Sequence, residues 1–274
     1  MAKITAAEVN KLRKQTGAGM MDCKNALVEA EGDFEKAVDI LRKKGQKVAA
    51  KRADREATEG CVLAASSADN SFGAVMSLNC ETDFVAKNDS FVELTNAILS
   101  TAIENKVADK DALLAMSLGE MTVADKLTEQ TGVIGEKLEI GSYEVIEAAY
   151  VASYIHAGNK LATIVGLTAE AEEAGKNVAM QAAAMNPVAL DRDSVEQEII
   201  DRELEVGKEL ARQEGKPEAM LDKIAEGRLN KFFKENTLVD QAYIRDNKLS
   251  IAKYLQSVNK DLAVTAFRRV GLGV

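Results

Sequence analysis

The first 45 residues carry hydrophobic side chains at helical spacing in three short runs. Thr5 and Glu8 match a capping box at the start of the first run, which is predicted to end near Gly17. A second run extends from about residue 19 to residue 32, and Asp33 is positioned to cap the third. The pattern predicts three short helices that form a minimal domain, a size typical of modules that bind other proteins.

Gly45 is the predicted stop of the third helix, because glycine commonly ends helices. Residues 46–57 follow it, and they are charged and contain no glycine. This composition predicts a helical tether to the next part of the chain. The first predicted domain, with its tether, covers residues 1–55.

From Gly60 onward the hydrophobic pattern is that of strands. Residues 61–67 and 72–80 are predicted to pair around a turn at 69–71. A loop at 81–88 follows, and a helix with one hydrophobic face begins at Asp89. Two shorter helices are predicted after it, at 109–117 and 122–131.

The same order of elements then recurs. Residues 143–155 are predicted to be a strand, although the length suggests that it bends or breaks. A turn at 156–159, a strand at 161–167 and a helix at about 174–185 follow. Two strand–strand–helix units predict a core of two related subdomains, each an antiparallel sheet covered by helices.

A charged helical stretch at 194–214 carries a narrow apolar seam. The residues of that seam are Ile199, Ile200, Leu204 and Leu210. A turn at 215–217 leads to a second helix, with Pro217 at its predicted first position. The two helices are predicted to form a protruding hairpin that either packs on the core or pairs with another chain. Beyond it, Ser250 is expected to cap a helix, and residues 262–270 are expected to be a closing strand.

The predicted fold class is therefore α+β. A three-helix domain with its linker occupies 1–55, one core subdomain occupies 56–140 and a second occupies 141–274. The helical hairpin is predicted as an insertion at about 188–236 within the second subdomain.

Composition adds limits to this picture. With 46% hydrophobic and 29% charged residues the chain is expected to be globular, and no apolar run approaches the 18 or so residues of a membrane span. The start of the chain, residues 1–5, lacks the apolar core of a signal peptide. Three cysteines without metal-ligand spacing fit reduced structural thiols in the cytoplasm.

The net charge of −9 is unevenly distributed. Residues 1–55 hold 13 Lys and Arg against 8 Asp and Glu, a net charge of +5, whereas the remainder carries −14. An acidic body argues against nucleic acid as the main partner. The basic domain could contact an acidic protein surface or RNA, but such a face is more often only solvated.

Features typical of enzymes are absent from the sequence. A single histidine, His156, cannot form a His-rich metal site, and there is no phosphate-binding loop, dinucleotide fingerprint or nucleophile elbow. Cys80 has no candidate base near it in the sequence, so a role as nucleophile is not expected. The residues give no support for an enzyme or for a cofactor.

The loop at 81–88, with the sequence ETDFVAKN, is the strongest candidate for a functional site. It joins a strand to a helix and places one aromatic residue among polar neighbours, a common setting for function. The alternative is that Thr82 or Asp83 only caps the next helix while Phe84 fills the core. Local chemistry favours this alternative.

Two stretches closely resemble the signature motifs of bacterial elongation factor Ts. They are residues 12–24, LRKQTGAGMMDCK, and residues 81–88. The hairpin helix from Pro217 to Phe233 and the closing stretch at 264–269 also look like this family, so the resemblance extends over nearly the whole chain. Because the sequence stops at Val274, soon after the predicted closing strand, it is expected to lack the helical C-terminal module of longer members.

The resemblance implies a translation elongation factor that binds elongation factor Tu with GDP, displaces the magnesium ion and lets GTP rebind. No covalent chemistry of its own is implied. It also implies a ubiquitin-associated-like three-helix domain, a core of two subdomains and a coiled-coil or dimerisation hairpin. By the family motif, the residues that dislocate magnesium in the partner are Thr82, Asp83, Phe84 and Val85, with the aromatic ring as the wedge.

Further contacts implied by the resemblance fall on Leu12, Met20 and Met21 in the first domain and on His156 and Gly158 in the second subdomain. For the two methionines, packing among the three helices is an open alternative. No nucleic-acid, membrane or cofactor binding is implied, and a homodimer through the hairpin is left open. The competing hypothesis is a binding scaffold that recruits a protein or RNA through its basic domain.

Overall fold

The computed structural model describes residues 4–273 and confirms an α+β fold. The helices are α1 Ala6–Thr16, α2 Met20–Glu29, α3 Phe34–Arg52, α4 Asp83–Ala86, α5 Asp89–Glu104, α6 Lys110–Ala115, α7 Val123–Ile134, α8 Glu172–Met185, α9 Gln197–Gln213, α10 Leu221–Asn236 and α11 Ile251–Val258. The strands are β1 Glu59–Ser66, β2 Phe72–Cys80, β3 Ser117–Leu118, β4 Met121–Thr122, β5 Glu139–Glu147, β6 Tyr150–Ile155, β7 Leu161–Leu167, β8 Ala242–Tyr243, β9 Asp246–Ser250 and β10 Val264–Gly271. The expectations for residues 1–3 and Val274 lie outside the described residues.

The strands form two three-stranded sheets, in the orders β1-β2-β5 and β10-β7-β6, and two small two-stranded sheets. Strands β6 and β7 are antiparallel, with Tyr150 opposite Leu167 and Ile155 opposite Ala162. The predicted strand at 143–155 is broken, as its length suggested: β5 joins one sheet and β6 joins the other.

The first three helices follow the predicted capping signals. The Thr5 backbone N–H donates to Glu8 Oε2 at 2.7 Å, and the Glu8 N–H donates to Thr5 Oγ1 at 3.3 Å. Gly17 ends α1 with a left-handed φ of 70°, and Asp33 caps α3 by accepting from the Lys36 N–H at 3.1 Å. The three helices enclose a small core formed by Val9, Leu12, Ala18, Cys23, Ala26, Leu27, Ala30 and Ala37.

The predicted stop at Gly45 is wrong, because α3 continues through it to Arg52. Gly45 is buried against Gly132 of α7, and a Cβ built at Gly132 would lie only 2.3 Å from Gly45 Cα. The glycine therefore allows two helix backbones to approach closely and does not end a helix. Much of the predicted tether is the last part of α3.

The described residues divide into two compact units. One contains the chain up to Leu63, Met76–Tyr143 and the end of the chain from Gly271; the other contains Ala64–Val75 and Glu144–Val270. The core of the second unit is built from β6, β7, α8, α11 and β10. The division into three domains remains a prediction.

Helices α9 and α10 form the predicted hairpin, but its seam differs from the prediction. Ile199 and Ile200 do pack near its base, around Phe233, whereas Leu210 is exposed. Towards the tip, Gly207 lies against Ala225, where small side chains let the helices pack closely. Pro217 is also not the first residue of the second helix: it precedes a 3₁₀ turn at Glu218–Met220, and α10 begins at Leu221.

No helix within residues 4–273 is both long and apolar enough to cross a membrane. The three cysteines, Cys23, Cys61 and Cys80, are all free and buried. They therefore act as small core side chains, as the sequence predicted.

Candidate functional site

The predicted loop at 81–88 contains the one-turn helix α4 between two capping residues. Thr82 precedes α4 with an extended backbone, and its Oγ1 accepts from the Val85 N–H at 3.5 Å. Asn88 Oδ1 accepts from the Ser90 N–H at 3.0 Å and so caps α5. Thr82 therefore caps α4, a one-turn helix that the sequence did not predict, whereas the predicted next helix, α5, is capped by Asn88 and not by Thr82 or Asp83.

Phe84 points into solvent from α4 and is 85% exposed. The alternative in which its ring fills the core is therefore wrong, and Ala86 is the residue of α4 that is buried. Hydrophobic side chains that are this exposed gain free energy when a partner covers them. The structure thus presents an apolar ring on a short and well-capped turn.

The neighbours of Phe84 on α4 are less exposed. Asp83 forms an ion pair with Lys87 at 2.7 Å, one helical turn further on. Val85 is half-buried. Of the four residues predicted to act at the partner, Phe84 therefore offers the largest apolar surface.

A carboxylate distant in sequence holds the entrance to α4. Glu136 Oε2 accepts from the backbone N–H groups of Glu81 at 3.1 Å and Thr82 at 3.0 Å. Thr82 Oγ1 donates to Glu136 Oε1 at 2.6 Å. Hydrogen bonds to a charged acceptor are among the stronger ones in proteins, so both oxygens of Glu136 fix this turn.

A second carboxylate, Glu81, links the same turn to α3. The guanidinium of Arg52, the last residue of α3, donates to Glu81 Oε1 at 2.7 Å and to Oε2 at 3.0 Å. The Lys137 backbone N–H donates to Glu81 Oε1 at 2.7 Å. This N–H lowers the pKa of Glu81 below its ordinary value, and Arg52 lowers it further.

Cys80 lies directly behind this turn, where its thiol donates to the Thr82 carbonyl oxygen at 3.2 Å. Burial, followed by the charge of Glu136, raises the pKa of Cys80 to about 12. A thiol with such a pKa is almost entirely protonated at neutral pH and is a poor nucleophile. The thiol therefore packs and hydrogen-bonds, and it is not suited to an enzymatic role.

Met20 and Met21, at the start of α2, are 54% and 62% exposed. Neither belongs to the core of the three helices, so the alternative in which they pack these helices together is wrong. Together they form a flexible apolar surface of the kind that protein-binding sites use. The nearby Asp22 is paired with Lys44 of α3, which ties the start of α2 to α3.

Leu12 differs from the other predicted contact residues, because its side chain has no exposed surface. It lies in the core of the three-helix domain. A residue in this position can stabilise the domain, but it has no surface with which to contact a partner directly. The direct contact predicted for Leu12 is therefore corrected to a packing role.

His156 and Gly158 lie on the turn between β6 and β7, in the second compact unit. The Asn159 N–H donates to the His156 carbonyl oxygen at 3.1 Å, and the His156 N–H donates to the Leu161 carbonyl oxygen at 2.8 Å. Gly158 has a φ of +89°. Tyr154 Oη and His156 Nδ1 are 3.1 Å apart, which gives the exposed imidazole a hydrogen-bond partner on its own hairpin.

Apart from the buried Leu12, the predicted site residues thus fall in three places. Four residues share α4 or its cap, the two methionines lie on α2 of the same compact unit, and the turn with His156 belongs to the other unit. No group of three or more His, Cys, Asp or Glu in the described part of the chain could hold a metal ion.

Reasoning from the sequence missed Glu136 and the link between Arg52 and Glu81. Glu136 lies 55 residues from Glu81 and 54 from Thr82, and Arg52 lies 29 from Glu81. No spacing rule for helices, strands or turns connects residues so far apart. Only the folded chain brings them together.

Comparisons with known proteins agree with the motifs in this site. A family model described as "Elongation factor TS" matches residues 81–274. A protein named "Elongation factor Ts" from Christiangramia forsetii is 61% identical over the full length of both chains. Proteins of the same name are 55% identical in Flavobacterium psychrophilum, again over both full chains, and 53% identical over 98% of both chains in Porphyromonas gingivalis.

Proposed function

The chain belongs to the elongation factor Ts family of translation elongation factors, and we propose that it promotes GDP release from elongation factor Tu so that GTP can rebind. The observation that carries this proposal is the exposure of Phe84 on α4. An apolar side chain held in water on a capped turn is ready to enter a partner. The gain from covering such a ring is about 1.5–3 kcal/mol.

We propose that Phe84 inserts between packed elements of the GTPase near its magnesium site. Packed elements respond to such insertion by moving to another arrangement rather than by bending smoothly. In GTPases, magnesium bridges phosphate oxygens and protein side chains, so moving these elements weakens the hold on GDP. Thr82 supports the turn, while Asp83 and Val85 border the ring.

Exchange of this kind needs no covalent step in either protein. If the chain weakens GDP binding to elongation factor Tu, GDP must weaken binding of the chain by the same factor. The chain then leaves when a nucleotide rebinds, and it acts many times. We therefore propose an exchange factor and not an enzyme with covalent chemistry of its own.

Two further surfaces are proposed to hold the partner while Phe84 acts. The first is the apolar pair Met20 and Met21 on α2, and the second is the turn with His156 and Gly158. Their exposure supports this assignment. Substituting both methionines by alanine is expected to weaken complex formation in a binding titration and to leave the helical circular dichroism unchanged.

A second copy of the chain is the further partner that we propose for the hairpin. Val206 and Leu210 lie one turn apart on α9, and both are exposed outside the contact between α9 and α10. Sedimentation velocity would compare the wild type with a Leu210→Glu variant. A wild type that sediments as a monomer at high concentration would contradict this part of the proposal.

Neither nucleic acid nor a membrane is proposed as a direct partner, because residues 56–274 carry a net charge of −14. A cytoplasmic location is proposed because the three cysteines are free and translation takes place there. The competing function is an RNA-binding scaffold that uses the basic residues 1–55. Tight RNA binding that weakens steeply with salt, together with no effect on nucleotide release, would favour it.

The decisive experiment follows release of a fluorescent GDP analogue from elongation factor Tu by stopped flow. Truncating an aromatic anchor to alanine typically removes about 2 kcal/mol or more of interaction free energy. If this loss falls on the step that releases GDP, Phe84→Ala should release the nucleotide about 30-fold more slowly than the wild type. Its stability should change by less than about 0.5 kcal/mol, because the ring is already exposed.

Val258→Ala is the matched control, because Val258 is also an exposed large hydrophobic residue but lies at the end of α11. This variant is expected to release nucleotide like the wild type. Unchanged release in Phe84→Ala would show that the ring is not the wedge. No acceleration by the wild type would refute the exchange function itself.

A further inference from the structure

The entrance to α4 is held by a residue to which none of the recognised motifs assigns a role. Glu136 uses both carboxylate oxygens to accept three hydrogen bonds, two from backbone N–H groups and one from the Thr82 hydroxyl. These three donors belong to the two residues that directly precede α4. The direction in which α4 leaves β2, and with it the position of Phe84, therefore depends on Glu136.

The Thr82 hydroxyl shows why the position of Glu136 matters. Its proton is donated to Glu136 Oε1, which leaves the oxygen lone pairs of Thr82 free to accept from the Val85 N–H. A hydroxyl without this acceptor could rotate its proton towards another group. Glu136 therefore supports the cap of α4 as well as the backbone before it.

Glu136 is itself positioned by the end of α7, a helix of the same compact unit. It follows Gly135, which ends α7 with a left-handed φ of 80° and donates its N–H to the Thr131 carbonyl oxygen at 2.9 Å. One turn earlier, Gly132 of α7 lies directly against Gly45 of α3. A helix that packs closely against its neighbour thus ends two residues before Glu136, which binds the turn.

We propose that Glu136 is a positioning residue for nucleotide exchange, which holds α4 so that Phe84 meets the partner in a single orientation. The inference rests on the proposed exchange function. Glu136 acts through the turn and not by touching the nucleotide. Preorganisation of this kind raises the fraction of encounters that are productive, because a turn that is competent only part of the time acts only for that fraction.

The consequence is a separation of two kinetic quantities. Without Glu136, Met20 and Met21 still bind the partner, so the concentration of the chain that gives half-maximal release should change less than about threefold. The maximal release rate should fall about tenfold, as expected when about 1.4 kcal/mol is lost at the step that uses the turn. A residue that only stabilises the fold would not produce this separation.

The experiment uses the full chain in three variants, Glu136→Ala, Glu136→Gln and Glu139→Ala. The alanine removes all three acceptor contacts, whereas glutamine keeps the size and one acceptor oxygen, so its maximal rate should lie between those of the wild type and the alanine variant. Glu139→Ala is the control, because Glu139 is a nearby carboxylate that forms an ion pair with the side chain of Lys137, at 3.0 Å. Glu139→Ala should release nucleotide at the wild-type rate.

Hydrogen exchange gives a readout that does not depend on the partner. In Glu136→Ala, amides in a peptide spanning 80–88 should exchange faster, while peptides from β2 and α7 keep their protection. If this peptide exchanges as in the wild type, Glu136 does not hold the turn and the inference is overturned. If Glu136→Ala does not fold, the same comparison is made with Glu136→Gln.

The two proposals can fail separately. A wild type that does not accelerate GDP release refutes the exchange function, whatever the variants do. A wild type that accelerates release and a slow Phe84→Ala variant, combined with wild-type maximal release in Glu136→Ala, leave the exchange function intact and overturn the positioning role.

Discussion

The two turns that carry candidate contacts are held in place by different means. The turn with Phe84 depends on Glu136, which lies more than 50 residues away in the chain. The turn with His156 is held by its own residues. Its hydrogen bonds join His156 to Asn159 and Leu161, and Gly158 and Asn159 both have positive φ values.

The difference reflects what each turn has to do. The turn between β6 and β7 closes a hairpin, so short-range hydrogen bonds and residues that tolerate positive φ are sufficient. The turn with Phe84 joins a strand to a helix and holds an apolar ring in water, an arrangement that its local sequence does not enforce. The carboxylate of Glu136, which follows the end of α7, supplies the missing restraint.

Of the substitutions that test this comparison, Gly132→Ala is expected to change the free energy of unfolding most. It alters the contact between α3 and α7 that lies behind the turn with Phe84. The new Cβ would lie 2.3 Å from Gly45 Cα, so one of the two helices has to move. We expect a loss of about 3 kcal/mol in the free energy of unfolding, the upper end for overpacking. Urea unfolding followed by circular dichroism measures it.

Gly227→Ala is the control for that variant. Gly227 lies within α10, and a Cβ there would meet no atom within 4 Å. This substitution should stabilise the protein by about 0.5–1 kcal/mol, because alanine is the better helix former. If both substitutions shifted stability in the same direction, the close approach of Gly45 and Gly132 would not be the reason for glycine at position 132.

A smaller effect is expected from Gly158→Ala, which tests the locally held turn. A Cβ at Gly158 meets nothing within 4 Å, so only the positive φ of +89° opposes the substitution. An alanine in the left-handed backbone conformation should lower the free energy of unfolding by about 1–2 kcal/mol, and thermal unfolding would detect this loss. Asn159→Gly is the control, since glycine readily adopts the φ of 54° found there. A larger loss of stability in this control than in Gly158→Ala would mean that the Asn159 side chain holds the turn.

The smallest effect on stability is expected from Glu81→Gln, and this effect should depend on pH. The pKa of Glu81 is lowered in the folded chain from the ordinary value of 4.5, so its ionised form stabilises the fold. This contribution is fully present above about pH 4.5 and is lost as the pH falls through the lower folded pKa. The melting temperature of the variant should therefore lie below that of the wild type at pH 7, and the gap should shrink below pH 4.5.

Glu104→Gln, at an exposed carboxylate on α5, is the control for this pH series. The difference in melting temperature between this variant and the wild type should not change with pH. A gap for Glu81→Gln that stays constant from pH 7 to pH 3 would show that the interactions with Lys137 and Arg52 do not stabilise the ionised carboxylate.

The sequence predicted much of the fold because its signals are local. Thr5 and Asp33 cap helices as their positions suggested, and the strand predicted at 143–155 is broken, as its length suggested. The same rules failed at Gly45, where a residue that usually ends helices is used for a close contact. They also failed at Leu210, which helical spacing could not distinguish from a seam residue.

For the candidate site, the sequence alone determined which residues occupy the turn and, through its motifs, the family to which the chain belongs. It could not determine whether Phe84 is buried or exposed, because a single aromatic beside a cap fits both. The tertiary structure decided this, and it brought Glu136 and Arg52 to the turn. The physical reason is range: capping and turn signals act over a few residues, whereas the hydrogen bonds of a carboxylate depend only on which groups the folded chain places within about 3 Å of it.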